Sequence, residues 1–295
     1  MTHLPSIFIV GAPKAGTTAL HAFLDQHPQV VMSSDKEPNY FSWQEIEAQG
    51  LYYQKKNIKD KESYLALFSQ KQGAILSGEA SVSYLFYPEC ADRIHSFNPN
   101  AKIIISLREP VARALSHYQM DYSLGLVRHS LEDIWYNGKE HPKTKLYYQQ
   151  YFLLSDYLPQ VKRYLDVFPQ QQIHFLLHEE LNMNRELQLQ NMCEFLGITA
   201  GHSTPDIEQK NVTLAGKNKL VALLYANESI RKAMSALFNE KRKNQLRGLF
   251  FSKSALPGLN NELKNTISNV YSESFPELSR LTGLNLAIWK SPSTQ

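Results

Sequence analysis

The chain has 295 residues, of which 43% are hydrophobic and 20% charged, with a formal net charge of +3. This composition predicts a folded globular protein with a substantial core, and excludes an intrinsically disordered chain. The two cysteines, Cys90 and Cys193, lie far apart and near no histidine cluster, which excludes a disulfide framework and a cysteine-based metal site. The sequence shows no secretory leader and no apolar run of membrane-spanning length, so we expect a cytoplasmic protein.

The charge is distributed unevenly along the chain. Residues 210–253 contain ten Lys or Arg and two Glu, a net charge of +8, which leaves −5 for the remainder. Such a segment is typical of contact with an anionic ligand or substrate, or of a solvated helical face. Aromatic side chains are not interleaved with its basic residues to form a stacking platform, so we expect no nucleic acid partner.

The hydrophobic pattern predicts alternating strands and helices. SIFIV (6–10) predicts a buried strand, followed by a glycine turn and an amphipathic helix. Further strands are predicted at 29–32, 74–80, 101–107 and 172–177, and helices at 61–70, 111–122 and 154–168. After about residue 207 no strand is predicted. This order favours one α/β domain over residues 1–295: an open parallel sheet with helices on both faces and a helical C-terminal part.

Ligands of such sheets bind beyond the carboxyl ends of the strands, and the first of these ends carries GAPKAGTT (11–18). Gly11 and Gly16 keep the glycine spacing of a P-loop, and the following helix directs its N–H groups toward an anion. The Walker A lysine position is occupied by Thr17, however, and the lysine stands inside the loop as Lys14. The displaced lysine argues against Mg-ATP chemistry, although a nucleotide-dependent kinase stays open as an alternative.

PKAGTT (13–18) resembles the 5′-phosphosulfate loop of the sulfotransferases that use 3′-phosphoadenosine 5′-phosphosulfate (PAPS). The resemblance implies that the fold is P-loop-like. It also implies that Lys14 contacts the 5′-phosphate and the bridging oxygen of the leaving group. The other cofactor-binding residues of the loop would be Ala15, Gly16, Thr17 and Thr18.

A second segment, ISLREPVARALSHY (105–118), is similar to the 3′-phosphate motif of the same family. Arg108 at the strand end and Ser116 eight residues later match its spacing, and an arginine fork with a hydroxyl can bind a phosphate dianion. Arg113, in the same helix, is either a surface residue or a salt-bridge partner. Later segments also resemble the family, and LSRLTGLNLAIW (278–289) is similar to the C-terminal segment of bacterial members. The resemblance covers nearly the whole chain.

The loop KEPNYF (36–41) resembles that of the glycan sulfotransferases of the heparan sulfate type. This resemblance implies Glu37 as the general base and Lys36 as a contact of the substrate or sulfuryl group; otherwise Glu37 is an exposed loop acid. Small-molecule sulfotransferases use a histidine instead, which leaves His95 and His117 as alternatives. Glu79, at another strand end, is a second active-site acid or a substrate contact, or else a loop anchor.

The resemblance implies transfer of a sulfuryl group from PAPS to a hydroxyl or amine of a glycan, glycolipid or natural product, with release of 3′,5′-ADP. The transferred group carries one negative charge, so we expect no metal. Lys217 and Lys219 are expected to contact PAPS, and the basic 210–253 segment favours an acidic acceptor. A non-catalytic nucleotide-binding module is the second alternative to sulfuryl transfer.

Overall fold

The computed structural model describes residues 4–53, 58–68, 71–140, 142–200, 215–216, 251–252 and 256–289. Its strands are β1 (Ile7–Gly11), β2 (Val30–Met32), β3 (Leu76–Ala80), β4 (Lys102–Leu107), β5 (Ile173–Leu177), β6 (Ala215–Gly216) and β7 (Phe251–Ser252). Its α-helices are α1 (Thr17–Gln26), α2 (Trp43–Ala48), α3 (Lys61–Leu65), α4 (Cys90–Phe97), α5 (Pro110–Ser123), α6 (Leu131–Asn137), α7 (Pro142–Tyr151), α8 (Tyr157–Val167), α9 (His178–Met183), α10 (Arg185–Leu196), α11 (Asn261–Ser272) and α12 (Phe275–Thr282). Short 3-10 turns span Leu153–Ser155, Gln170–Gln172 and Leu286–Trp289.

Strands β1 to β5 form one parallel sheet in the order β2-β3-β1-β4-β5. β1 reads IFIVG and is buried along its whole length, as expected for a central parallel strand covered on both faces. In the register, Ile9 of β1 lies beside Ala80 of β3 and Ile104 of β4. The predicted open parallel sheet is confirmed, and the carboxyl ends of β3, β1 and β4 lie side by side.

One face of the sheet is covered by α1 and α10. Side chains of β1 that point to this face pack with apolar side chains of the two helices, because the strand alternates its side chains between faces and the helices present apolar stripes. The cluster includes Ile7, Ile9, Leu20, Phe23, Leu24, Val30, Met32, Ile104, Leu176, Leu189, Met192 and Leu196.

The opposite face is aromatic. Phe8 of β1 meets Phe41 edge to face, with ring centroids 5.9 Å apart, and Phe41 in turn packs on Tyr64, Tyr84 and Phe97 at 5.3–5.6 Å. These rings come from the segment after β2, from α3, from the segment after β3 and from α4. The segment that contains the predicted base Glu37 is therefore packed directly onto the sheet.

The chain divides into two compact units. The sheet unit comprises Met1–Pro110, Asp156–Glu208 and Tyr271–Gln295; the second comprises Val111–Ser155 and Gln209–Val270. In the second unit Arg113 has no exposed surface and donates hydrogen bonds to Ser155 Oγ and to two main-chain carbonyls of α7. The interpretation of Arg113 as a surface residue is therefore wrong.

The prediction that no strand follows residue 207 is also wrong. β6 and β7 pair antiparallel, Ala215 with Ser252 and Gly216 with Phe251, within the second unit. Each has two residues, too few for an alternation of apolar and polar positions to be recognised in the sequence.

Candidate active site

The glycine loop after β1 is held by the end of β4. Ala12 N–H donates to the Ser106 carbonyl at 2.6 Å, and Ser106 Oγ donates to the Ala15 carbonyl at 2.6 Å. Arg108 Nη1 donates to the carbonyl of Lys14 at 3.0 Å. The two segments predicted to bind phosphate are thus joined by hydrogen bonds at neighbouring strand ends.

The loop turns tightly into α1. Lys14 (φ 67°) and Gly16 (φ 82°) adopt the left-handed conformation, and Gly16 is the N-cap of α1. No side chain caps this helix, and its first turn contains no acid, which favours an anion at the N-terminus. Thr17 is buried and Thr18 is exposed at the helix start, while Ala15, within the loop, is fully buried.

His178, the first residue of α9, lies against this loop and was missed by the sequence analysis. A Cβ atom built on Gly16 would lie 2.9 Å from His178 Nδ1. Among the described residues, Nδ1 is buried without a hydrogen-bond partner. Burial and the nearby charge of Arg108 lower the pKa of His178 to about 4, so the ring is neutral at pH 7. Its position directly after β5 is the signal that could have identified it, because ligands of a parallel sheet bind beyond the carboxyl ends of the strands.

Arg108 lies at the end of β4 in the sheet unit. Burial lowers its pKa from the usual value, and the carboxylate of Glu179 opposes this effect. Tyr157 donates to the Arg108 carbonyl at 2.9 Å. Glu179 accepts hydrogen bonds from Glu109 N–H (2.9 Å) and Trp289 Nε1 (3.2 Å), which ties the C-terminal segment to the ends of β4 and β5.

Three other residues predicted to bind PAPS make none of the contacts described above between the glycine loop and Arg108. Ser116 is half-buried on α5 and belongs to the second unit. Lys217 and Lys219 lie outside the described residues, as does almost all of the basic 210–253 segment.

The loop of residues 33–42, between β2 and α2, contains Lys36 and Glu37. Lys36 Nζ forms an ion pair with Glu37 Oε1 at 2.8 Å, and the two side chains are 24% and 19% exposed. Burial lowers the pKa of Lys36 to about 8. Glu37 N–H donates to the carbonyl of Ala80 at the end of β3, which is the strand next to β1. The alternative of an exposed loop acid does not match this half-buried, paired carboxylate.

Glu79 precedes Ala80 and is completely buried. Its carboxylate accepts hydrogen bonds from the hydroxyls of Tyr64 (2.7 Å), Tyr84 (2.8 Å) and Ser81 (2.6 Å). Burial raises its pKa to about 7, against the effect of these three donors. These contacts match the alternative in which Glu79 anchors a loop.

The two histidines considered as alternative bases lie in packed surroundings. His95 on α4 packs edge to face on Phe168, with centroids 5.3 Å apart. His117 on α5 is buried, and its Nδ1 lies 3.1 Å from the Gln150 carbonyl and 3.2 Å from Arg113 Nη1. Both rings make contacts typical of structural residues.

Within the described part of the chain, no cluster of three or more His, Cys, Asp or Glu side chains could hold a metal ion. In the same residues, no helix is both long and apolar enough to cross a membrane.

Comparison with known proteins identifies the family. A model of the sulfotransferase domain matches residues 4–280. The chain belongs to this family. The sulfotransferase resemblance found in the sequence and the α/β fold class are therefore confirmed, and with them the sulfotransferase class of enzyme.

Several sulfotransferases are similar to this chain. The crystal structure of a sulfotransferase from Alicyclobacillus acidocaldarius is 27% identical and has a TM-score of 0.68, covering 97% of this chain and 99% of that one. The mouse (Mus musculus) heparan sulfate glucosamine 3-O-sulfotransferase 5 is 30% identical over 226 residues, which is 71% of this chain and 56% of the relative. The membrane-associated sulfotransferase kil1 of Dictyostelium discoideum is 39% identical over 115 residues, 39% of this chain and 22% of the relative. The chain thus spans about half or less of the length of these two curated relatives.

Proposed function

We propose that residues 1–295 form one sulfotransferase domain that transfers the sulfuryl group of PAPS to a hydroxyl or amine of a glycan, glycolipid or natural product. The observation that carries the proposal is the alignment of three strand ends. Lys14 follows β1, Arg108 follows the neighbouring β4, and Glu37 is hydrogen-bonded to the end of β3 on the other side of β1. A donor anion, its counter-charges and a base can therefore meet at one edge of the sheet.

In this proposal the donor is bound mainly by the loop after β1. The left-handed turn and the start of α1 direct the N–H groups of residues 16–18 and the hydroxyls of Thr17 and Thr18 toward the 5′-phosphate, while Ala15 donates its N–H to the Ala12 carbonyl and shapes the turn. Lys14 stabilises the negative charge that develops on the departing 3′,5′-ADP. Arg108 and, by the spacing of its motif, Ser116 bind the 3′-phosphate, and Lys217 is retained as a further contact.

Glu37 is the proposed general base. Sulfuryl transfer requires that the acceptor lose a proton as its oxygen or nitrogen attacks sulfur, while the ester oxygen of the donor takes the electron pair of the broken S–O bond. The adjacent Lys36 ammonium pairs with the Glu37 carboxylate at 2.8 Å, and in this proposal it also contacts the sulfuryl group or the substrate. No step of this scheme needs a metal ion.

Binding of the donor is tested first. Isothermal titration calorimetry without Mg²⁺ is expected to show 3′,5′-ADP binding that Lys14→Ala and Arg108→Ala weaken. Strong binding of Mg-ATP with no binding of 3′,5′-ADP would instead support the kinase alternative. Binding of 3′,5′-ADP without turnover on any acceptor would support the non-catalytic module.

Catalysis is tested with radiolabelled PAPS against a panel of unsulfated and sulfated glycosaminoglycans, glycolipids and neutral sugars. Glu37→Gln is expected to reduce kcat about 100-fold or more while 3′,5′-ADP affinity is kept. Asp35→Asn is the matched control, because it removes the same charge from an exposed position of the same loop. Equal rates for the two variants would contradict the assignment of the base.

The acceptor is proposed to be an acidic glycan or glycolipid. The similarity to a heparan sulfate sulfotransferase and the +8 charge of residues 210–253 support this choice. Turnover of an acidic acceptor should then fall steeply with salt, whereas turnover of a neutral one should not. The cytoplasmic location, suggested by the two free cysteines, stays a prediction.

A further inference from the structure

The buried carboxylate of Glu79 is connected to the loop of residues 33–42 through every hydroxyl that it binds. Ser81 Oγ, which donates to Glu79 Oε2, accepts the N–H of Asn39 at 3.1 Å. The Tyr84 hydroxyl, which donates to Oε1, accepts the N–H of Phe41 at 3.3 Å. These are two parallel relays, each running from a main-chain N–H of the loop through one hydroxyl to the same carboxylate.

The third hydroxyl donor also touches the loop. The ring of Tyr64, whose hydroxyl donates to Glu79, stacks on Tyr40 with centroids 4.3 Å apart and an interplanar angle of 9°. Three consecutive loop residues, 39 to 41, are therefore held by side chains that converge on one carboxylate.

The direction of the relays requires an acceptor at position 79. A hydroxyl has one proton, and when it is donated to Glu79 the oxygen lone pairs are available to the N–H of Asn39 or Phe41. The ionised carboxylate, which is the form of Glu79 above its pKa of about 7, can accept from three hydroxyls at once. A carboxamide has one oxygen and an NH₂ group, so at least one of the three hydroxyls would face a donor and lose its acceptor at position 79, which removes the bond that fixes the orientation of that hydroxyl.

The held loop is conformationally strained at the base itself. Glu37 (φ 61°) and Asn39 (φ 54°) both adopt the left-handed conformation, which is costly for residues other than glycine and persists only where the surroundings fix it. Asn39 Nδ2 donates to the Glu37 carbonyl at 3.0 Å and so transmits the relay through Ser81 to the main chain of Glu37. The relays act together with the Glu37 N–H bond to the Ala80 carbonyl and the Ser83 Oγ bond to Asn39 Oδ1 (2.8 Å), so their loss should loosen the strained dihedral angles and let the Glu37 side chain turn.

We propose that Glu79 is a positioning residue that, through Ser81, Tyr84 and Tyr64, fixes the strained 37–41 main chain and thereby aims the carboxylate of Glu37 at the acceptor. The inference rests on the proposed role of Glu37 as the base. It gives Glu79 no contact with substrate or donor and separates it from the residues that bind PAPS.

The test compares Glu79→Gln and Tyr84→Phe with Tyr151→Phe. Tyr151 is a matched control, because it is a fully buried tyrosine that donates to a buried carboxylate, Asp121, at 2.8 Å and lies in the second unit, away from the 33–42 loop in the chain. Hydrogen exchange measured by mass spectrometry should show amides of residues 37–42 exchanging about tenfold faster in the first two variants and unchanged in the third. Ser81→Ala, a smaller change, replaces either variant that fails to fold.

The kinetic readout distinguishes positioning from general stability. With the best acceptor from the labelled PAPS panel, Glu79→Gln and Tyr84→Phe should lower kcat about tenfold or more, while KM for PAPS and the Kd of 3′,5′-ADP stay within about twofold. Unchanged exchange, or faster exchange with unchanged kcat, would overturn the inference and leave the proposed function intact. If the wild-type protein transfers no sulfuryl group to any acceptor, the proposed function fails, and the exchange experiment still decides whether Glu79 holds the loop.

Discussion

Replacement of Gly16 by alanine should destabilise the protein for two reasons, one conformational and one steric. The first is conformational: at φ 82° an L-residue pays roughly 1–2 kcal/mol relative to glycine. The second is steric, because the new Cβ would lie 2.9 Å from His178 Nδ1 and 3.2 Å from Leu181 Cδ2. Overpacking of this kind costs about 1–3 kcal/mol. We therefore expect Gly16→Ala to lower the free energy of unfolding by about 2–5 kcal/mol.

Gly283→Ala isolates the conformational cost. Gly283 follows α12 with φ 73°, and a Cβ there would meet nothing within 4 Å. In urea denaturation, the free energy of unfolding of Gly16→Ala should be about 1–3 kcal/mol lower than that of Gly283→Ala. Measured relative to His178→Ala alone, Gly16→Ala should cost about as much as Gly283→Ala, because the ring no longer opposes the methyl group. Weakened 3′,5′-ADP binding should accompany only the Gly16 variant. Equal urea midpoints and equal 3′,5′-ADP affinities for the two glycine variants would refute the steric role of His178 at Gly16.

Three further predictions concern buried polar groups. Ser106→Ala leaves the Ala15 carbonyl without its 2.6 Å donor, so it should cost about 1–3 kcal/mol and weaken 3′,5′-ADP binding in calorimetry. Arg113→Met leaves several buried acceptors without their donor and should lower the urea midpoint by an amount equivalent to about 3 kcal/mol or more; an unchanged midpoint would show that the guanidinium is dispensable. Glu79 has a pKa of about 7 when folded against 4.5 for the free side chain, so the folded state holds the proton more tightly. Its contribution to stability should therefore fall by about 3 kcal/mol as pH rises from 4.5 to 7, measured as the difference in unfolding free energy between the wild type and Glu79→Gln.

The sheet and the phosphate loop could be predicted from the sequence because both depend on short-range patterns. Short apolar runs marked β1 to β5, with boundaries that differ from the structure by one or two residues. Lys14 could be recognised from its position between two glycines, and Arg108 from its position at the end of a predicted strand. Neither required knowledge of distant contacts. The pair β6–β7 could not, because two-residue strands are defined by their partner and not by their own side chains.

The surroundings of the site depend on contacts between residues far apart in the chain, and these were not predictable. Trp289 bonds to Glu179 across 110 positions, and Ser106 bonds to the Ala15 carbonyl across 91. His178 meets Gly16 only because β5 brings the start of α9 to the same edge of the sheet. The sequence places His178 directly after a predicted strand, but it does not show that this strand end lies beside Gly16.

Glu79 illustrates how the fold can choose between roles that a sequence leaves open. A carboxylate at a strand end is equally suited to contacting a ligand and to anchoring a loop, because both need acceptor oxygens at that edge of the sheet. The choice depends on the neighbouring hydroxyls, and two of the three, Ser81 and Tyr84, lie within five residues of Glu79, while the third comes from α3. Since those hydroxyls occupy the carboxylate and exclude solvent from it, a substrate would have to displace at least one of them to reach Glu79. The same contacts that remove Glu79 from direct chemistry also restrain the main chain of Glu37, whose left-handed conformation depends on restraints from its surroundings.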